Sequence, residues 1–249
     1  MTLDSIPRLG LVVPPANAAA EPEIGGLVHP RLNTHTTRLP VLPGKDLRER
    51  LDTYNAVLPQ TLGTFGTLRL DAAVIACTGS HYLLSPGGDR ALCEALSDRI
   101  GAPVASATLA ILAAAAAAGV ERLVLVSPYQ PWLTDLSRDY WEKAGLAVDR
   151  VVKVRAGGRF SPYDVTTAEL LAQVRDAGVA DDAALLFTGT GMSTLAALAE
   201  LGRDSGRTLL TSNLATAWWA LHTAGGGEPF DRPDTHPLLR RLSGHPAAA

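Results

Sequence analysis

The sequence predicts an α/β fold of two pseudo-symmetric halves, each a parallel β-sheet flanked by helices in the flavodoxin-like or Rossmann-like manner, with an active site in the cleft between them. Three observations predict it. Short apolar segments alternate with longer segments of helical periodicity, the pattern of parallel strands joined by crossover helices. Among the 249 residues, 47% are hydrophobic and 19% are charged, which provides enough apolar side chains for a sizeable core. One strand–turn–helix–strand–helix unit also occurs twice along the chain.

Short apolar segments predict the strands, and segments of helical periodicity lie between them. Strands are expected at LGLVV (9–13), NTHTTRLP (33–40), AAVIAC (72–77), PVAS (103–106), RLVLVS (122–127), VDRVVKV (148–154), AALLFT (183–188) and TLLTS (208–212). Helices are expected near residues 45–62, 87–100, 107–118, 131–145, 165–177, 193–204 and 213–224. The segment from Gly226 onward is rich in Pro and Gly, so we expect an irregular or mobile extension there.

The repeated unit is clearest in two segments that run from Ser to Gly with the same spacing, SATLAILAAAAAAG (106–119) and SNLATAWWALHTAG (212–225). Upstream of each, a buried strand ends in a small, polar turn: AAVIACTGS (72–80) before the first and AALLFTGTG (183–191) before the second. Because ligands bind at the carboxyl ends of parallel strands, the two turns are expected to face each other across one cleft.

This arrangement predicts two lobes. The first comprises residues 1–110 together with the returning segment 212–249, and the second comprises residues 111–211.

Composition argues against several classes of partner. The net charge is −3 and the sequence has no Lys/Arg cluster, so nucleic acid is not expected as a partner. The N-terminus lacks the blocks of a signal peptide, and the longest apolar run is too short to span a bilayer. We therefore expect a cytoplasmic protein that does not bind membranes.

Two cysteines, Cys77 and Cys93, are too few for a disulfide framework, and no CxxC motif or His/Cys cluster predicts a metal site. Cys93 lies in a segment of helical, apolar spacing and is expected in the core. The sequence has no lysine-centred or phosphate-binding motif that would indicate PLP or a nucleotide, so no cofactor is expected.

Cys77 is the candidate catalytic residue because it lies where a buried strand runs into a Thr-Gly-Ser turn. A thiol at a helix N-terminus, among backbone N–H donors, is expected to have a lowered pKa. As a thiolate it can add to an activated C=C bond, and as a thiol it can protonate an enolate. A cysteine that ends a buried strand can equally be a small apolar residue of the core.

The two turns supply candidate substrate-binding groups, since hydroxyls and backbone N–H groups suit a carboxylate or an enediolate. These residues are Thr78, Gly79, Ser80, Thr188, Gly189, Thr190 and Gly191. Turns of this composition also end strands for conformational reasons alone.

Three further polar residues lie near the same sheet edge. Asn17 can donate to a carboxylate or cap the helix that follows it. His81, four residues after Cys77, can meet the thiol on a helical turn, although a structural histidine is equally consistent with its position. Asn213 can bind substrate or cap its own helix, and the cap is the favoured interpretation.

Together these motifs resemble the aspartate/glutamate racemase superfamily, and within it the branch of maleate cis–trans isomerases and arylmalonate decarboxylases. Four segments over residues 7–225 carry the resemblance: LGLVVPPANAAAEPE (9–23), THTTRL (34–39), VIACTGS (74–80) and LVSPY (125–129). The resemblance implies that Cys77 is the first catalytic cysteine, that Asn17 holds substrate and that Tyr129 binds a substrate carboxylate. It also implies a cofactor-independent enzyme and is compatible with a homo-oligomer.

The sequence departs from this pattern at the second catalytic cysteine. Alignment on the downstream Ser-Thr-Leu places that position at Gly189, and a shift of one residue places it at Thr188. Arylmalonate decarboxylases resemble the mirror case, with glycine at the first position and cysteine at the second. Because Gly189 cannot exchange a proton, an amino-acid racemase with two opposed bases is disfavoured.

Three functions remain open, all involving a small carboxylate or dicarboxylate. The first-ranked is a maleate isomerase-like reaction, in which Cys77 adds to the double bond, the C–C bond rotates and the thiolate leaves. The alternative is an arylmalonate decarboxylase-like reaction, in which Cys77 protonates an enediolate. The third is a non-catalytic, carboxylate-binding member of the superfamily.

Overall fold

A computed structural model describes residues 6–203, 205–225 and 230–244 of the chain. The first half contains β1 (Arg8–Val13), α1 (Ala20–Val28), β2 (Asn33–Arg38), α2 (Leu47–Gly63), β3 (Ala72–Ile75), α3 (Thr78–His81), α4 (Pro86–Ile100), β4 (Val104–Ser106) and α5 (Ala107–Ala117). The second contains β5 (Arg122–Ser127), α6 (Pro131–Lys143), β6 (Ala147–Lys153), α7 (Thr167–Asp176), β7 (Leu185–Phe187), α8 (Leu195–Leu201), β8 (Leu209–Thr211), α9 (Ser212–Ala224) and α10 (Pro237–Leu242).

The strands form two four-stranded sheets with the same topology. Their orders are β2-β1-β3-β4 and β6-β5-β7-β8, and every pairing is parallel. The central strands are buried along almost their whole length, as expected for parallel sheets covered by helices on both faces. The predicted fold class is therefore confirmed.

The sheet registers define which residues correspond between the halves. In the first sheet Ile75, the last residue of β3, pairs with Val12 of β1 and with Ser106 of β4. In the second sheet Phe187, the last residue of β7, pairs with Val126 of β5 and with Thr211 of β8. Two residues further on, Cys77 therefore corresponds to Gly189 rather than to Thr188. The sequence repeat aligned Ser106 with Ser212, whereas the sheet registers make Ser106 correspond to Thr211, one residue earlier.

Helix α9 connects the two halves. It follows β8 of the second sheet, yet it packs against α1, β1 and β3 of the first half, and against α5. Its burial is nearly complete, so a helix from the end of the chain forms part of the core of the first half. These contacts support the proposal that the returning segment predicted from residue 212 onward belongs with the first half, at least through α9. The predicted boundary at residue 110 falls inside α5 (Ala107–Ala117) rather than between elements.

Two features differ from the sequence prediction. Helices α1 and α3 were not among the helices expected from periodicity, although capping by Asn17 and the position of Cys77 were considered with a helix following each. Part of the C-terminal extension is helical rather than irregular. Helix α10 packs through Leu239 and Leu242, and Trp218 Nε1 donates to Ser243 Oγ at 3.1 Å. Positions 226–229 and 245–249 lie outside the described residues. Of the helices in the described part of the chain, none is long and apolar enough to cross a membrane.

Candidate active site

A cavity of about 310 Å³ lies where segments from both halves meet. The loops after β1, β3, β5 and β7 line it, contributing residues on either side of the interface between the sheets. Helix α2, helix α6 and the loop at residues 160–163 complete its wall. Six of the predicted site residues line it: Cys77, Thr78, Gly79, Tyr129, Thr190 and Gly191.

Cys77 lies between the end of β3 and the four-residue helix α3, and it is 5% exposed. Burial raises the pKa of its thiol, while hydrogen bonds from the Ser80 hydroxyl and from the backbone of Ser80 and Gly79 act in the opposite direction. The predicted lowering of this pKa is therefore wrong. A single helical turn adds only a few N–H donors, and desolvation of the charged sulfur outweighs them.

Tyr129 lies on the other side of the same cavity, after β5. Its hydroxyl hydrogen-bonds the Thr78 hydroxyl at 2.9 Å, joining the two halves at the site. Burial raises the pKa of Tyr129 well above its ordinary value, so the phenol is neutral and able to donate.

Thr190 anchors the turn of the second half to the first. Its hydroxyl donates to the carbonyl oxygen of Ala76 at 2.7 Å and accepts from Asn17 Nδ2 at 3.0 Å. Asn17 Oδ1 in turn accepts from the backbone N–H groups of Ala19 and Ala20, at 3.0 and 2.9 Å. Asn17 is thus buried behind the wall of the cavity, with both side-chain atoms engaged, and does not line it.

Gly189, the counterpart of Cys77, has a backbone that disfavours any side chain. Its φ is +102°, and a Cβ atom there would lie 3.2 Å from both Pro128 Cγ and Tyr129 Oη. Thr188 is fully buried, and its hydroxyl forms a short hydrogen bond with the Tyr82 hydroxyl. Neither residue lines the cavity.

His81 faces away from the thiol. Its Nδ1 lies 2.9 Å from the Cys77 carbonyl oxygen and 3.1 Å from Ser80 Oγ, and its Nε2 lies 3.8 Å from Asp89 Oδ1. Both histidine nitrogens therefore point to groups other than Cys77 Sγ. His81, Asp89 and Cys93 lie close enough together to hold a metal ion.

Asn213 is not a helix cap. Thr211 caps α9 by accepting from the Leu214 N–H at 3.0 Å. Asn213 Nδ2 instead donates to Glu23 Oε2 at 2.8 Å and to the Thr190 carbonyl oxygen at 3.1 Å. It therefore supports the Thr190 turn from behind.

Sequence reasoning missed the apolar wall and also Arg50, the one charged residue among the described residues that line the cavity. The apolar residues are Leu47, Leu51, Tyr54, Leu133, Phe160 and Tyr163. Those on α2 and α6 carry no motif, since their spacing is that of any amphipathic helix. Phe160 and Tyr163, two aromatic side chains in a loop rich in Gly, Ser and Pro, were the signal that could have been recognised.

Comparison with known proteins agrees with this geometry. The family described as arylmalonate decarboxylase matches residues 9–231. The chain belongs to this family. It is 28% identical over 231 residues to the arylmalonate decarboxylase of Bordetella bronchiseptica, a match that covers 90% of this chain and 92% of that enzyme.

Solved structures share the fold of this family member. The maleate isomerase Iso of Pseudomonas putida S16, in a cysteine-to-alanine variant with maleate, has a TM-score of 0.80 at 22% identity and covers 96% of this chain and 98% of its own. A cysteine-to-serine variant of the Nocardia farcinica maleate cis–trans isomerase, with a covalently bound succinylcysteine intermediate, has a TM-score of 0.79 at 23% identity and covers 95% and 99%.

These matches confirm the predicted branch of the superfamily and the predicted enzyme class, an isomerase or decarboxylase.

Proposed function

We propose that this chain is a decarboxylase of malonate-type dicarboxylates, in which Cys77 protonates the carbanion left by loss of CO2. The observation that carries the proposal is a single buried sulfur on one wall of the cavity, with Gly189 at the corresponding position of the other half. One proton donor is sufficient for this reaction. The donor must be a thiol rather than a thiolate, and burial of Cys77 favours the thiol.

The substrate carboxylate that is retained would be held by the donors around Cys77. The Thr78 and Tyr129 hydroxyls already form one hydrogen bond across the interface, and the backbone of Gly79 lies beside them. These neutral donors suit the enediolate, whose negative charge grows on the same carboxylate during the reaction.

The second carboxylate would be the one lost. The bond between it and the α-carbon breaks, its electron pair passes into the enediolate, and CO2 leaves. The Cys77 S–H proton then bonds to the α-carbon, and the resulting thiolate recovers a proton from water. An apolar environment favours this first step because spreading the charge costs less desolvation than keeping a localised carboxylate.

Cavity size and lining support a malonate with a bulky substituent. The volume is at the lower end of the range for drug-sized ligands, about 300–1,000 Å³, and a four-carbon diacid would leave the apolar wall unused. Tyr54, Phe160 and Tyr163 offer aromatic faces to an aryl or alkyl group. The similarity to the Bordetella enzyme supports the same substrate class.

Maleate isomerisation, ranked first from sequence, becomes the second candidate. It is favoured by the hydrogen bonds from Gly79 and Ser80 to the Cys77 sulfur, which would stabilise a thiolate, and by the succinylcysteine in the Nocardia isomerase. It ranks lower because burial opposes the thiolate that must add to the double bond. In addition, Asn17, the residue expected to hold substrate, has both polar side-chain atoms hydrogen-bonded within the wall.

The test compares two substrates. Purified protein is incubated with 2-aryl-2-methylmalonate and, separately, with maleate; CO2 and fumarate are measured, and the mass of the intact chain is recorded. We expect CO2 release from the malonate, with the monoacid product formed in a single handedness and no adduct on Cys77.

Cys77→Ser serves as the control and should lose at least about 100-fold in rate, the usual contribution of a general acid. Fumarate formation with a maleate adduct on Cys77 would contradict the proposal and show that the protein is an isomerase. Carboxylate binding without either product would indicate a non-catalytic, carboxylate-binding protein.

A further inference from the structure

Behind the cavity, three potential metal ligands meet in the core. His81 lies on α3, and Asp89 and Cys93 lie one turn apart on α4. His81 and Asp89 are fully buried and Cys93 is 2% exposed. The Cys77 carbonyl oxygen contacts the back of this cluster through His81 Nδ1 at 2.9 Å, but the reaction proposed above uses none of the three side chains.

The ligand atoms are spaced much as around a tetrahedral ion. Asp89 Oδ1 lies 3.6 Å from Cys93 Sγ and 3.8 Å from His81 Nε2, and the three atoms all lie within 4.8 Å of one another. Zinc bond lengths of about 2.0–2.3 Å place neighbouring ligands of a tetrahedral site about 3.3–3.7 Å apart. Shifts of a few tenths of an ångström bring the two pairs that include Asp89 to these separations, and His81 Nε2 and Cys93 Sγ, which lie within 4.8 Å of each other, would approach by up to about 1 Å as the ion binds.

The hydrogen bonds of His81 leave its Nε2 atom available to bind a cation. Its Nδ1 lies 2.9 Å from a carbonyl oxygen, which only accepts, so Nδ1 carries a hydrogen. The neutral ring then presents a lone pair at Nε2, and this atom has no hydrogen-bond partner in the described part of the chain. Nε2 faces Asp89 Oδ1, another acceptor, so either a proton or a bound cation must lie between them.

The other carboxylate oxygen of Asp89 is already held. Asp89 Oδ2 accepts from the hydroxyls of Ser106, Thr108 and Tyr140, at 2.8, 2.6 and 2.6 Å. These bonds fix the carboxylate with Oδ1 turned towards His81 and Cys93. Metal-binding carboxylates and histidines are oriented in this way by outer hydrogen bonds, and the Nδ1–H bond to a backbone carbonyl is of the same kind.

We propose that His81 Nε2, Asp89 Oδ1 and Cys93 Sγ bind a Zn²⁺ ion, with a water molecule as the fourth ligand. The mixed nitrogen, sulfur and oxygen set suits zinc better than magnesium or calcium. Binding of the ion releases the Cys93 S–H proton, which now points to Asp89 Oδ1, to solvent. The carboxylate and the resulting thiolate together balance the ion's charge, which resolves the burial of Asp89 without a lysine or arginine partner in the described residues. The ion ties α3 to α4 and, through His81, holds the backbone of Cys77.

The test uses the full-length chain, refolded with and without Zn²⁺ or Co²⁺ because the site is closed to solvent. We expect one equivalent of zinc per chain by elemental analysis after dialysis, and a thiolate-to-cobalt charge-transfer band in the Co²⁺ form. Zinc-edge X-ray absorption should give one sulfur at about 2.3 Å and nitrogen or oxygen ligands at about 2.0–2.1 Å.

The two cysteines provide a matched pair of variants. Cys93→Ser should lose the charge-transfer band and bind zinc at least 100-fold more weakly, whereas Cys77→Ser should retain both. A folded wild-type chain that takes up no zinc would overturn the proposal, leaving a proton shared between His81 and Asp89. Zinc without a sulfur ligand, or a band lost in Cys77→Ser and kept in Cys93→Ser, would also overturn it.

Discussion

The Cys77 thiol makes the pH dependence of the reaction informative. A free cysteine has a pKa of about 8.5, and burial raises that of Cys77. A thiol donor is protonated below its pKa, so kcat for malonate decarboxylation should stay level through neutral pH and fall only above the ordinary cysteine range. The measurement is kcat against pH from 6 to 10. An increase in rate between pH 6 and 8.5 would indicate that a thiolate does the chemistry.

At Gly189, the position that corresponds to Cys77 in the second half, the backbone conformation disfavours any side chain and therefore a second cysteine. Placing a side chain at φ +102° costs about 1–3 kcal/mol, so Gly189→Cys should lower the free energy of unfolding by that amount without creating a second acid or base. Urea unfolding measures the loss. Gly26→Ala, in an exposed part of α1 with open space around it, is the control and should change stability by less than about 1 kcal/mol in the favourable direction. A Gly189→Cys chain as stable as wild type would contradict the argument.

At the scale of elements, α1 holds the second half of the site in place. Glu23 is 9% exposed; its carboxylate accepts from the N–H groups of Thr194 and Leu195, at 2.5 and 3.0 Å, at the start of α8. It also accepts from Asn213 Nδ2, whose other contact is the Thr190 carbonyl oxygen. One carboxylate thus fixes the turn that carries Thr190.

Glu23→Gln should therefore affect both stability and binding. Replacing a buried charged acceptor by an amide should cost about 1–3 kcal/mol, seen in urea unfolding, and should raise KM as the Thr190 turn loosens. Glu21→Gln on the same helix is the control, because its exposed pairing with Arg38 contributes at most about 1 kcal/mol. Equal effects of the two substitutions would argue against a special role for Glu23.

The same helix shows where sequence patterns stop being sufficient. The central strands β1, β3, β5 and β7 were predictable because their apolar runs are buried on both faces. Helix α1, AEPEIGGLV, contains Gly25 and Gly26, which have low helix propensity, and Pro22, which is tolerated only because it lies in the first turn. It forms because Ile24, Leu27 and Val28 bury against the core and α9, a contact between segments nearly 200 residues apart.

At the scale of the whole molecule, the site residues divide into those that the sequence could predict and those that it could not. Cys77 and Thr78 were predictable because turns at the ends of central strands converge on one edge, whereas Tyr129 was indicated only by the resemblance to the superfamily. The apolar wall was not, because the position of α2 and of the loop at residues 160–163 over the cavity depends on how the two halves pack. The burial of the thiol, and with it the direction of its pKa, depends on the same packing.

Helix α9 also sets the order in which the molecule can be completed during synthesis. Strands β1 and β3 leave the ribosome early, but the helix that covers them is translated only after residue 211. Until α9 has been synthesised, the growing chain exposes the apolar surface of β1 and β3 that this helix covers in the folded protein. A fragment truncated before α9 is therefore expected to express poorly as a folded protein. The nascent first half is also the segment to which chaperones are expected to bind.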